Sequence, residues 1–343
     1  MLHIFIKNLM MKKAFLFLII LFAKLTIAQN TEIVMFDIKP NGKGFELSNM
    51  VNISKNKGYD NQPFVKSEEK KLLFTSKRDS ISTEIYEYDY INNKTKRLTK
   101  NKENEYSPKI ISPSSRCMVV KGPEQRLSLY SEDFSSEDTI LVSNDSIGYY
   151  CYLGKGKIAA NILTKLHSLQ LIDTAKLVEP EFIAGNVGRT ILEYRSGILY
   201  VQLGATKNDV NKIAFYDNTI KSNIHLIDLP PGKEDFLVHE QRIYTVIDEK
   251  LFECHLEEER NWKEVADFNP FKLKGITRIA VNQEFSKLFV VATEEDWMFS
   301  LTQAVSPTRK VVTQKKSVSN RSFEDNKTNS APLKTVKQPL PKK

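Results

Sequence analysis

From about residue 30 onward, apolar and polar residues alternate over short runs, with clusters of Ser, Asn, Asp, Glu and Lys between them. The runs 62–66 (QPFVK), Lys71–Ser76 (KLLFTS), Glu84–Asp89 (EIYEYD) and 96–99 (KRLT) are separated by SEE, RDSIS and INNKT. A period of two puts successive side chains on opposite faces of a strand. This stretch therefore predicts four short strands joined by tight turns.

The pattern recurs. Each unit opens with a polar or aromatic cluster ahead of its first strand: GYDN at 58–61, NEYS at 104–107, IGYY at 147–150, VGR at 187–189, KED at 233–235 and ITR at 276–278. With Tyr59, Tyr106, Tyr149, Arg189, Asp235 and Arg278 as markers, the spacings are 47, 43, 40, 46 and 43. A sustained period of this size with four strands per unit is the signature of a β-propeller blade, and six openings give six blades. The last unit supplies strands at 277–282 and 287–293, with a third expected at 297–301. Two N-terminal strands, 32–38 and 45–53, have no partners of their own and are expected to complete the last blade, removing an exposed edge. The expected fold is an all-β, six-bladed β-propeller over residues 29–302. A pair of β-sandwiches is the alternative, and six evenly spaced openings without a linker argue against it.

Composition agrees with a packed chain: 41% hydrophobic and 27% charged residues exclude a disordered or collagen-like polymer. The net charge of +8 is misleading until it is divided along the chain. Residues 1–28 carry +4, 303–343 carry +8, and the body between them carries −4. The basic excess is terminal, so it is no sign of a specific nucleic-acid partner. Residues 11–28 (MKKAFLFLIILFAKLTIA) have a basic start, an apolar run and a small-residue end at Ala28, the grammar of a cleaved signal peptide. The apolar run is too short for a membrane anchor, which needs roughly 20 residues. Met11 is a better start than Met1. A periplasmic or secreted location is expected.

The stretch 303–343 has four prolines and Phe323 as its one aromatic, so it is expected to be disordered. Its ten basic residues suit weak contact with anionic membrane or polysaccharide, or a solubilising role. Cys117, Cys151 and Cys254 are odd in number and widely spaced, which fits isolated core positions better than a disulfide framework or a metal site. The histidines are scattered, and no metal or cofactor is expected. No GxSxG or HExxH pattern is present, and the LGKGK at 153–157 lacks the Lys-Ser/Thr ending of a phosphate loop.

The motifs GYDNQP (58–63), FTSKRD (74–79), EIYEYD, RLT (97–99) and EYSP (105–108) resemble the TolB-like propeller repeat family of exported bacterial proteins. The resemblance is sharp over residues 52–126 and fainter afterwards. It implies a six-bladed periplasmic propeller used for binding, without established catalytic residues in this branch. The sequence departs from the repeat at the first turn of each blade, where Ser-Pro-Asp-Gly is replaced by KSEE at 66–69 and SPSS at 112–115.

In such a ring the six openings converge on the mouth of the central channel. They bring together Tyr59, Asp60, Asn61, Glu105, Tyr106, Ser107, Tyr149, Tyr150, Arg189, Glu234, Asp235 and Arg278. Carboxylates, guanidiniums and phenols around a concave mouth suit a polar or peptide ligand. Each residue taken singly also has a structural role open to it, as a turn cap or as half of an ion pair between blades. Two functions follow as expectations. The first is a non-catalytic binding or scaffold propeller engaging a protein or cell-envelope partner. The second is a hydrolase or lyase acting on glycans, for which a carboxylate pair such as Asp60 and Glu105 would have to face one cleft.

Overall fold

The structure, a computed structural model, describes residues 30–300 apart from 80, 112, 113, 115, 141–145, 177, 207 and 259. The expected leader and tail lie outside the described residues, as does most of the turn at 112–115.

Two strands, β1 (Thr31–Asn41) and β2 (Gly44–Asn52), come first in the chain. The first blade is β3 (Asp60–Lys66), β4 (Lys71–Ser76), β5 (Glu84–Asp89) and β6 (Lys94–Arg97). The second is β7 (Glu105–Ile111), β8 (Arg116–Lys121), β9 (Arg126–Tyr130) and β10 (Glu137–Ile140). The third is β11 (Ile147–Tyr152), β12 (Lys157–Ile162), β13 (Ser168–Asp173) and β14 (Glu181–Gly185). The fourth is β15 (Val187–Tyr194), β16 (Gly197–Gln202), β17 (Asn211–Asp217) and β18 (Ser222–Leu229). The fifth is β19 (Leu237–His239), β20 (Arg242–Ile247), β21 (Lys250–His255) and β22 (Lys263–Asp267). The sixth begins with β23 (Arg278–Val281) and β24 (Lys287–Thr293) and is completed by the N-terminal pair, in the order β2-β1-β24-β23. Six four-stranded sheets in one closed circuit define a six-bladed β-propeller.

Closure is as expected. β1 runs antiparallel to β24 from Thr31 opposite Thr293 to Asp37 opposite Lys287, where the two charged side chains pair. Two expectations are corrected. Residues 297–300 form no strand; Asp296–Ser300 is a 3-10 turn that buries Met298, and residue 301 lies outside the described residues. Both edges of β24, the strand that the segment follows, are already occupied by β1 and β23, so it cannot pair there as the next strand of a meander. The outer strand of the first blade is 94–97 rather than 96–99. Asp89 caps the preceding turn through the amides of Ile91 and Asn92, and left-handed Asn93 closes it early.

Alternation explains why the second strand of each blade reads as a nearly continuous apolar run. Both of its faces are buried, one against each neighbouring blade. In β4, Leu72 and Phe74 pack toward the sixth blade with Ile33, Met35, Phe289 and Val291, while Leu73 packs toward the second with Cys117 and Val119. In β8, Met118 and Val120 face the third blade beside Ile158 and Ala160. The core is thus a set of layers between blades, and the innermost strands are held in position around the axis. Cys117, Cys151 and Cys254 are free and buried within these layers, as expected.

Candidate functional site in the central channel

The inner strands β3, β7, β11, β15, β19 and β23 line a cavity of about 690 Å³. When the blades are aligned on the hairpin that follows each inner strand, Gln62, Ser107, Tyr149, Asp235 and Arg278 share one position, four residues before the turn. Arg189 lies one residue further back, on a strand whose pairing is irregular between Val187 and Ile191. Gln62 and Ser107 have left-handed backbones, with φ of 57° and 54°, and each sits within a β-bulge of its strand. Bulges re-aim side chains, and here they turn the strand at the same depth in consecutive blades. All six residues line the cavity. Its wall continues to Val65, Ile110, Leu153, Glu193, Val238 and Val281, at the far ends of the same strands.

The ring is mixed in charge and closely coupled. Arg278 Nη1 lies 3.9 Å from Asp235 Oδ1, and its guanidinium sits over the Tyr149 ring at 5.2 Å. Asp235 Oδ2 accepts from the Ile279 amide at 2.8 Å. Burial raises the Asp235 carboxyl above its ordinary range, against the opposing pull of Arg189 and Arg278. Arg189 donates to the Thr277 carbonyl. Just outside the ring, Tyr59 and Tyr106 meet edge to face at 6.4 Å. Burial pushes the Tyr59 phenol up, in the field of Arg278 and its two tyrosine neighbours. A second cavity, of about 320 Å³, is lined by Glu234, Asp235, Arg189, Arg278 and the loops 231–233 and 275–277.

The other expected mouth residues are engaged in structural hydrogen bonds, and Asp60, Asn61 and Glu105 line neither cavity. Asp60 is fully buried, accepts from Asn56 at 3.1 Å and lines neither cavity. Its carboxyl is pushed up to about 6, chiefly by burial. Glu105 is fully buried too, held by the Tyr130 hydroxyl and by Asn101 at 2.9 Å, with Lys121 at 3.6 Å. The pair considered for glycoside chemistry therefore does not face the cleft. Tyr150 borders the large cavity, but its side chain is buried between blades, the hydroxyl donating to the Ser107 carbonyl at 2.8 Å. Asn61 accepts from the Gln62 amide at 2.8 Å and stabilises the bulge. Glu234 accepts through its carbonyl from Thr190 at 2.7 Å. The Arg78 guanidinium is engaged by the Ser54 carbonyl at 2.7 Å and the face of Tyr86. Trp262 packs within the blades, donating to the Asp228 carbonyl.

Two channel residues escape the opening clusters. Gln62 Oε1 accepts from both Thr75 Oγ1 and the Ser107 amide at 2.8 Å, tying the first blade to the second. Lys109 lines the cavity two residues beyond Ser107. The repeat itself carries the signal for it: the equivalent residues Phe64, Cys151, Leu192, Leu237 and Ala280 are all apolar.

The fold and channel place the chain in the class of six-bladed β-propellers. Among solved structures it is similar to TolB from Acinetobacter baumannii, at 12% identity and a TM-score of 0.47, over 78% of this chain and 65% of that one. It is also similar to an oligogalacturonate lyase in complex with manganese, at 11% identity and 0.47, over 80% of this chain and 100% of that one. A puromycin hydrolase aligns at 10% identity and 0.41, over 65% of this chain and 40% of its own. No family model and no curated protein matches the sequence. At these identities the likeness concerns the fold alone.

Proposed function

We propose that this chain is an exported binding propeller whose central channel receives an extended polar segment of a protein or cell-envelope partner. The observation that carries the reading is the 690 Å³ cavity, with a ring of polar side chains drawn from all six blades. A concave, largely apolar wall with a few convergent polar groups is the usual form of a ligand site. The leader-like sequence at 11–28 supports export, and the basic stretch 303–343 adds a weaker contact to anionic membrane or polysaccharide. The test is capture of partners from an envelope fraction by the full chain and by Ile110→Trp, which narrows the channel. A partner retained by the parent protein and lost by the variant, at equal melting temperature, is the expected result. Capture unchanged by Ile110→Trp contradicts the channel as the binding site.

A further inference from the structure

The charges lining the large cavity are unequal. Lys109, Arg189 and Arg278 face it against Asp235 and Glu193, and Glu193 is exposed. Of the three cations, only Arg278 has a carboxylate within salt-bridge distance among the described residues. Lys109 Nζ donates to the Tyr150 carbonyl at 2.6 Å and lies 5.3 Å from the Tyr150 ring. The Nε atoms of Arg189 and Arg278 are buried and make no hydrogen bond to the protein. Placing cations in a wall without counter-charges is costly unless something else supplies the negative partner. Burial lowers the Lys109 ammonium from its ordinary range, and Arg278 adds to that effect. The same wall positions in the other five blades are apolar, so packing does not require a lysine here.

We propose that Lys109, Arg189 and Arg278 form a receptor for an oxyanion, a carboxylate or phosphate group borne by the channel's ligand. This rests on the channel being the binding site. Arginine offers a planar fork of donors that matches either group, and Arg189 has no carboxylate partner among the described residues to occupy it. Lys109, on the second blade, faces the pair contributed by the fourth and sixth blades. Asp235 holds Arg278 in place and keeps the ring from attracting anions indiscriminately. Tyr149 supplies a phenol beside the Arg278 guanidinium for a further hydrogen bond.

The test is calorimetric titration of the full chain with tri-aspartate, inorganic triphosphate and the neutral tri-asparagine, at low and high salt. Parent protein should bind at least one anion, about ten-fold more tightly than tri-asparagine, and less tightly as salt rises. Lys109→Met and Arg189→Gln should each weaken that anion by about ten-fold, with Lys109→Arg restoring most of it. Whichever anion binds identifies the group. Anion affinity indifferent to both substitutions would overturn the proposal, because the basic stretch 303–343 would then account for it. Failure of both anions to bind would overturn it too. If tri-asparagine binds as tightly as tri-aspartate and both variants weaken the two equally, the charge assignment falls while binding in the channel stands. Should Arg189→Gln fail to fold, Lys109→Met decides alone.

Discussion

Two sets of charged residues begin the inner strands, and the molecule uses them in opposite ways. In the first two blades, Asp60 and Glu105 are sealed between sheets, each held by a side chain of the connection that leads into its strand, Asn56 and Asn101, and Glu105 by Tyr130 as well. In the fourth to sixth blades, Arg189, Asp235 and Arg278 line the channel, with guanidinium nitrogens left over. The distance along the strand separates them. Glu105 stands two residues before the ring position and Asp60 stands two before Gln62, with a bulge between. Residues of similar type at nearly the same repeat position thus become struts or ligand-facing groups according to the turn the bulge imposes.

The largest expected effect lies with the struts. Glu105→Ala removes the acceptor of Tyr130 and Asn101 and a counter-charge of Lys121, so it should cost about 3 kcal/mol of stability in denaturant unfolding. A loss below about 1 kcal/mol would place Glu105 outside the structural set.

The carboxylates at the closure sharpen the same contrast through pH. Glu32 and Asp60 are both fully buried, and burial raises them to about 7 and about 6, with Asp60 adding to the rise at Glu32. The folded protein therefore holds protons that the unfolded chain has released, from the ordinary carboxyl range up to about pH 7. Stability from these groups is fully present below about pH 4 and is lost as pH rises through 6 to 7. Glu32→Gln should flatten that decline, measured by urea unfolding at about pH 5 and pH 8. A variant as pH-dependent as the parent would remove Glu32 from the account.

A smaller effect is expected at a hairpin remote from both sets. Glu240 turns β19 into β20 with φ of 53°, a backbone that glycine adopts without a Cβ penalty. Glu240→Gly should stabilise the protein by about 1 kcal/mol and leave ligand binding unchanged. A destabilised variant would show that the exposed side chain matters more than the turn.

Much of the fold was legible because alternation and period are direct consequences of strand geometry. KLLFTS reads as a second strand because both of its faces are buried, and the 40–47-residue spacing counts blades without any knowledge of loops. The N-terminal closure was legible because two strands without partners meet a blade lacking its outer pair. Register was not. Tyr59 and Tyr106 stand three and one residues before the aligned position, since spacing between openings is blind to a bulge. Gln62 and Ser107 owe their places to left-handed backbones in residues with no strong preference for them. Lys109 reads as an ordinary polar strand residue until the blades are aligned, when its apolar counterparts expose it. Tyr149, Asp235 and Arg278 were found because their opening clusters fall on the aligned position, and Arg189 because it falls one residue from it.

The central claim is that the channel cations serve a ligand and not the fold. The most direct measurement is the melting temperature of Lys109→Met in the absence of ligand. A cation in the channel wall without a carboxylate partner is a cost to folding, so its removal should leave the melting temperature equal to the parent's or raise it. A fall comparable to that of Glu105→Ala would show that Lys109 holds the ring together, and would contradict the account.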